Sequence, residues 1–156
     1  MTAGTDVNRI RDWIDGDLVT NVERIQDEAA EFNLTIEISN ILVHIIRRHP
    51  DGPLLLGQQI EYGTDIQLHI QAMSDPDRSE LIMRIRETLT SIPVVYGFHD
   101  MNGKNVRFQN MYRVFLEHRI YPNSIDQQTL MNGLIDVWKA MRYLDDLVTL
   151  IDAVEN

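Results

Sequence analysis

The sequence predicts an α+β domain, an antiparallel five-stranded sheet with helices packed on it, in the order α-β-β-β-α-β-β-α. Residues 32–38 alternate apolar and polar positions with the period of a strand, β-branched runs and turn signals mark further strands, and four other segments place apolar residues at helical spacing. Strands and helices segregated in this way favour an antiparallel layer over a βαβ parallel sheet. With 44 % hydrophobic and 24 % charged residues the composition is that of a folded globular chain. Its 156 residues match one domain, 1–156, uninterrupted by any repeat, linker or low-complexity tract.

Asp6 can cap a short first helix whose apolar positions are Val7, Ile10, Trp13 and Ile14, with Gly16 as terminator. Between Leu18 and Phe32, local spacing of Leu18, Val22, Ile25 and Ala29 suggests a second helix. At Phe32 the period becomes two, and Phe32, Leu34, Ile36 and Ile38 share one side of a strand. Ser39-Asn40 is a two-residue turn into the β-branched "ILVHIIRR", and "HPDGP" reverses the chain into "LLLGQQIEY". A middle helix follows through "GTDIQLHIQAM" and "DPDRSELIMRIRETLTSIP", with Pro76 in a first turn and Leu81, Ile82, Ile85, Leu89 and Ile92 as its stripe. "VVYGFH" and "VRFQNMYRVFLEHRIY" then flank the hairpin signal Asn102-Gly103. Ser124-Ile125-Asp126-Gln127 fits a capping box, from which a last helix runs almost to Asn156.

A formal charge of -10 opposes attraction to phosphate backbones and anionic lipid, so neither nucleic acid nor membrane is an expected partner. The chain has no cysteine, which removes disulfides, thiolate nucleophiles and cysteine-ligated metals. "MTAGTDVNRIRDW" has no signal-peptide core, and no run approaches the roughly 18 apolar residues of a membrane span, so a soluble cytoplasmic protein is expected.

The one string that looks catalytic is Tyr143-Leu144-Asp145-Asp146. Paired aspartates serve two-metal phosphoryl transfer only when their oxygens converge. Here Leu130, Leu134, Val137, Met141, Leu144, Val148 and Ile151 repeat at helical steps, so the string lies inside a helix and its carboxylates diverge by about 100° around the axis. Arg142 and Asp146 should form a surface pair. His44, His49, His69, His99 and His118 show no HxH or HExxH spacing, so no metal or other cofactor is expected. Arg107, Phe108, Tyr112 and Arg113 interleave charge and rings as single-strand binders do, but without the glycines of the RNA-recognition signature and against the net charge. An enzyme would have to assemble scattered residues near His99, Asp100, His118 and Arg119. The last helix carries more apolar surface than one stripe needs, and Ile135, Trp138, Tyr143, Leu147 and Leu150 are the residues expected to meet a dimer or client partner.

The element order, the tryptophan in "IRDWIDGDLV", the strand ending "PLLLGQQI" and the junction "EHRIYPNSIDQQTLMNGLIDVWK" resemble a family of uncharacterised, mainly archaeal proteins. That family shares its fold with bacterial type III secretion chaperones. The resemblance covers most of the chain, rests on packing and turn signals, and supplies no catalytic residue. It implies an irregular segment in place of the local helix between Leu18 and Phe32. It also implies a homodimer that binds extended segments of client proteins, a non-enzymatic role.

Overall fold

The computed structural model describes residues 6–156. The first helix, α1, spans Val7–Trp13, and the Asp6 carboxylate accepts from the Arg9 amide at 2.8 Å. It stops at Ile14, before Gly16, and its fully buried residue is Ile10.

The sheet has six strands rather than five, in the order β1-β2-β3-β4-β6-β5. The extra strand is β1, Asn21–Ile25, in the segment where local spacing favoured a helix. Propensity loses here because β1 pairs antiparallel with β2, Phe32–Ile38, through Val22 opposite Ile36 and Ile25 opposite Asn33. The connection is held by Asp27, whose carboxylate accepts from the Ala29 amide at 3.0 Å and the Asn33 side-chain amide at 3.2 Å. Ser39 and Asn40, at φ 46° and 69°, make the expected two-residue turn; left-handed conformations at both central positions match the twist of the strands they join. The turn leads into β3, Ile41–Arg47, and β3 pairs antiparallel with β4, Leu54–Glu61.

The middle helix is two helices, α2 at Gly63–Ala72 and α3 at Asp75–Thr90. Met73 and Ser74 are extended between them, and Ser74 Oγ accepts from the Asp77 amide at 3.3 Å, so a second N-cap interrupts the helical run. Strand β5, Val95–His99, and strand β6, Arg113–Ile120, flank the Asn102-Gly103 turn; residues 108–110 form a 3-10 turn where a longer strand was expected.

The last helix begins at Gln127, capped by Asp126 rather than Ser124. Asp126 Oδ1 accepts from the Thr129 amide at 2.8 Å, and Thr129 Oγ1 accepts from the Asp126 amide at 3.1 Å. This is the reciprocal logic of a capping box displaced by two residues, with threonine in the role of glutamine. The helix is also not continuous: α4 is Gln127–Asp145, Asp146 leaves helical geometry at φ -92° and ψ 30°, and α5 is Leu147–Glu155.

The chain divides into two compact units, one built from residues up to 58 and from 117–138, the other from 59–116 and 139–156. In the first, Leu34 opposes Ile45 and Ile36 opposes Val43 on the inward face of the sheet, all four fully buried. Gln127 Nε2 donates to the Trp13 carbonyl at 3.0 Å, tying α4 to α1. In the second, the core includes Ile70 of α2, Leu81, Ile85 and Leu89 of α3, Val114 and Leu116 of β6, and Leu147 and Ile151 of α5. His69 and Glu155 meet at 2.6 Å and join α2 to α5. Among the described residues no helix is long and apolar enough to cross a membrane.

Candidate functional site

In the second unit a cleft of ≈ 520 Å³ opens between α3, β5 and the segment around the 3-10 turn. Its volume lies within the roughly 300–1,000 Å³ of small-molecule sites. Three elements build its walls. Helix α3 contributes Ile82, Ile85 and Arg86 at steps of three and four, one face of a helix whose buried stripe also contains Leu81 and Leu89. Tyr96 and Phe98, two apart in β5, project from the same side of the strand. Arg107 and Phe108 enter from the return of the hairpin, where the Val106 amide donates to the Phe98 carbonyl at 3.0 Å.

The rings form a chain. Tyr96 and Phe98 meet edge to face with centroids 5.9 Å apart, and Phe98 meets Phe108 likewise at 5.4 Å. Phe108 and Ile85 are buried and give the cleft an apolar floor. Gly97 makes this strand possible: a side chain there would overlap the ring of Phe115, which stacks on His99 with centroids 4.7 Å apart. Residues 96 and 98 thus serve the cleft while 97 and 99 serve the opposite packing.

Three arginines line the cleft, and among the described residues no carboxylate does. Arg78 is committed to structure, donating from Nε to the Ile70 carbonyl at 3.1 Å and from Nη2 to the carbonyls of Gln71 and Met73 at 3.1 and 2.8 Å, and pairing with Asp75. It caps the C-terminus of α2, where a cation is favoured. Arg86 and Arg107 are exposed, and among the described residues neither guanidinium has an ion pair or hydrogen bond. In a chain of net charge -10, the cleft thus joins two arginines that pair with no other described residue to an apolar aromatic floor.

Of the interleaved basic and aromatic residues, only Arg107 and Phe108 reach this cleft. Arg113 pairs with Glu61 at 3.3 Å, and its guanidinium carbon lies 5.6 Å from the centre of the Tyr112 ring. Sequence reasoning missed Arg86, Tyr96 and Phe98. The alternation of Tyr96 and Phe98 about Gly97 and the spacing of Ile82, Ile85 and Arg86 were visible signals, but their convergence depends on which elements the fold brings together.

The residues of the possible enzyme site are held by ordinary structural roles. Asp100 Oδ1 accepts from the amides of Asn102 at 2.9 Å and Lys104 at 3.0 Å, stabilising the hairpin, and His99 packs on Phe115. These two belong to the second unit, whereas His118 and Arg119 belong to the first. The His118 ring packs against Gly133, and Arg119 Nε donates to Glu117 at 2.7 Å. His44 sits opposite Thr35, with its Nδ1 3.2 Å from the threonine hydroxyl; burial lowers its pKa from the ordinary 6.5. Among the described residues no three His, Asp or Glu side chains are grouped to hold a metal ion.

Asp145, the last residue of α4, and Asp146, which lies outside both helices, are exposed at the break between α4 and α5 rather than inside one continuous helix. The Tyr62 hydroxyl donates to the Leu144 carbonyl at 2.7 Å, and burial, with the neighbouring Asp145 charge, pushes the Tyr62 pKa far above its ordinary value. The break also shifts the helical phase. Val148, expected in the apolar stripe, is 56 % exposed, while Leu147 is buried. It removes the four-residue geometry expected of Arg142 and Asp146, which form no ion pair. Of the expected interface residues, Leu147 belongs to the core, while Ile135, Trp138, Tyr143 and Leu150 are half-buried. The Trp138 Nε1 is enclosed without an acceptor.

A family model described as "Uncharacterized conserved protein (DUF2299)" matches residues 6–148. No curated protein matches the sequence. A crystal structure of an uncharacterized protein from Methanothermobacter thermautotrophicus is similar in fold, with a TM-score of 0.71 at 19 % identity, over 94 % of this chain and 96 % of that one.

Proposed function

We propose that this chain, which belongs to the uncharacterized conserved protein family DUF2299, works as a non-enzymatic, protein-binding homodimer in the cytoplasm, with a fold related to that of the type III secretion chaperones. The observation that carries the reading is the edge of the sheet at β1. It is the terminal strand of the sheet order, and four of its five residues are exposed. On the same outward face, Ile25 and Leu42 are 38 % and 46 % exposed. An open strand edge invites another chain to add a strand, with main-chain hydrogen bonds giving affinity and alternate side chains giving specificity.

Ile135 and Trp138 of α4 in the first unit, and Tyr143 and Leu150 in the second, keep partly accessible surfaces and add contact points within their own units. The non-enzymatic part of the reading is supported by His99, Asp100, His118 and Arg119, each of which has a packing or hydrogen-bonding role of its own.

Light scattering across micromolar concentrations tests the assembly. A mass of twice 18.1 kDa is expected, and Leu42→Glu should return it to one chain's mass. A single-chain mass for the unmodified protein throughout that range rejects the homodimer. Hydrogen exchange then locates the surface: slowed exchange in Asn21–Ile25 on dimer or client binding is expected, and unchanged exchange there rejects the β1 edge.

A further inference from the structure

We infer that the cleft of the second unit binds a small organic anion, a carboxylate or phosphate carried on a planar or apolar body. This goes beyond the protein-binding reading and uses none of its residues. Arg86 and Arg107 supply two guanidinium groups that have no partner among the described residues, and such forks match the oxygen geometry of carboxylates and phosphates. Between them Tyr96, Phe98 and Phe108 present an apolar wall, so a ligand with rings or aliphatic carbons removes more surface from water than an inorganic ion can.

Charge decides between a small ligand and a macromolecule. A polyanion, whether nucleic acid or an acidic protein segment, extends beyond the cleft into the field of a chain carrying -10. A small anion stays within the roughly 8 Å over which nearby arginines dominate at physiological ionic strength. The cleft volume of ≈ 520 Å³ suits such a molecule.

The test uses two dyes on the full chain: anilinonaphthalene sulfonate, which is anionic and aromatic, and phenylnaphthylamine, its neutral relative. The anionic dye is expected to bind in a one-to-one ratio, and Arg86→Gln and Arg107→Gln should each weaken it by about tenfold. Neutral-dye affinity should change little, and circular dichroism should show the same fold, since both arginines are exposed. Added salt should weaken only the anionic dye. Competition by adenosine monophosphate assigns the head group as phosphate, and competition by phenylpropionate assigns it as carboxylate. Either result supports the site. Unchanged anionic-dye binding in the double arginine variant overturns the proposal, as does failure of both competitors. Tighter competition by a single-stranded oligonucleotide or an acidic peptide than by either small anion rejects the small-ligand assignment.

Discussion

At the residue scale, single side chains in this protein are set by what lies opposite them more than by their own chemistry. Gly133 is the clearest case. It sits in α4, where alanine would gain about 1 kcal/mol of helix propensity, yet a Cβ there would lie 2.6 Å from Leu56 Cδ1 and 2.8 Å from His118 Cδ2. Leu56 is fully buried and has little room to withdraw. Gly133→Ala is therefore expected to destabilise the protein by about 1 to 3 kcal/mol, the usual range for overpacking, as measured by chemical denaturation. A second residue-scale prediction concerns pH. Burial disfavours the charged form of His44, so its pKa in the folded chain lies below the unfolded value near 6.5. The unfolded state then binds the proton more readily, and stability is complete above that value and declines as pH falls below it. His44→Gln should flatten this acid limb between pH 7 and 5. An unchanged slope in that variant would assign the acid sensitivity to other groups.

At the element scale, most strands and helices were legible because their signals are local. The alternation from Phe32 to Ile38, the Ser39-Asn40 turn and the Asn102-Gly103 hairpin specify themselves within a few residues. Three features were not legible for the same physical reason, that local patterns cannot see a competing partner. Strand β1 exists because β2 offers it hydrogen bonds, against the helical spacing of its own residues. The break at Asp146 lies within an unbroken apolar periodicity, and Tyr62, more than eighty positions away, supplies the donor for the Leu144 carbonyl there. The cleft draws Arg86, Tyr96 and Arg107 from three elements, so only the fold could assemble it. The start of α4 yields a test. Hydrogen bonds from Thr129 hold the Asp126 carboxyl below its ordinary 3.8, so its charged form stabilises the folded state above that value, and the contribution fades as pH falls through the lowered one. Asp126→Ala should lower the thermal midpoint at pH 7, and the gap from the parent should close in strong acid; an equal gap at both pH values would remove the charge from the explanation.

At the scale of the whole molecule, the question is whether two compact units melt as two. The chain passes between them at 58/59, 116/117 and 138/139, and every crossing falls inside a regular element: β4, β6 and α4 respectively. No crossing is a flexible linker, where boundaries between independent domains usually fall. Each of these three elements contributes residues to both units, so unfolding one unit alone would have to cut β4, β6 and α4 partway along their length. The physical expectation is one cooperative transition. At about 0.7 kcal/mol per residue, a chain of 156 residues should absorb on the order of 110 kcal/mol at its midpoint. If unfolding is all-or-none, the van't Hoff enthalpy from the steepness of the transition equals the heat measured directly by calorimetry. Two units melting independently would each show roughly half that steepness. A van't Hoff value near half the calorimetric one, at protein concentrations where the association state is constant, would therefore establish separate domains in place of the single one expected for residues 1–156.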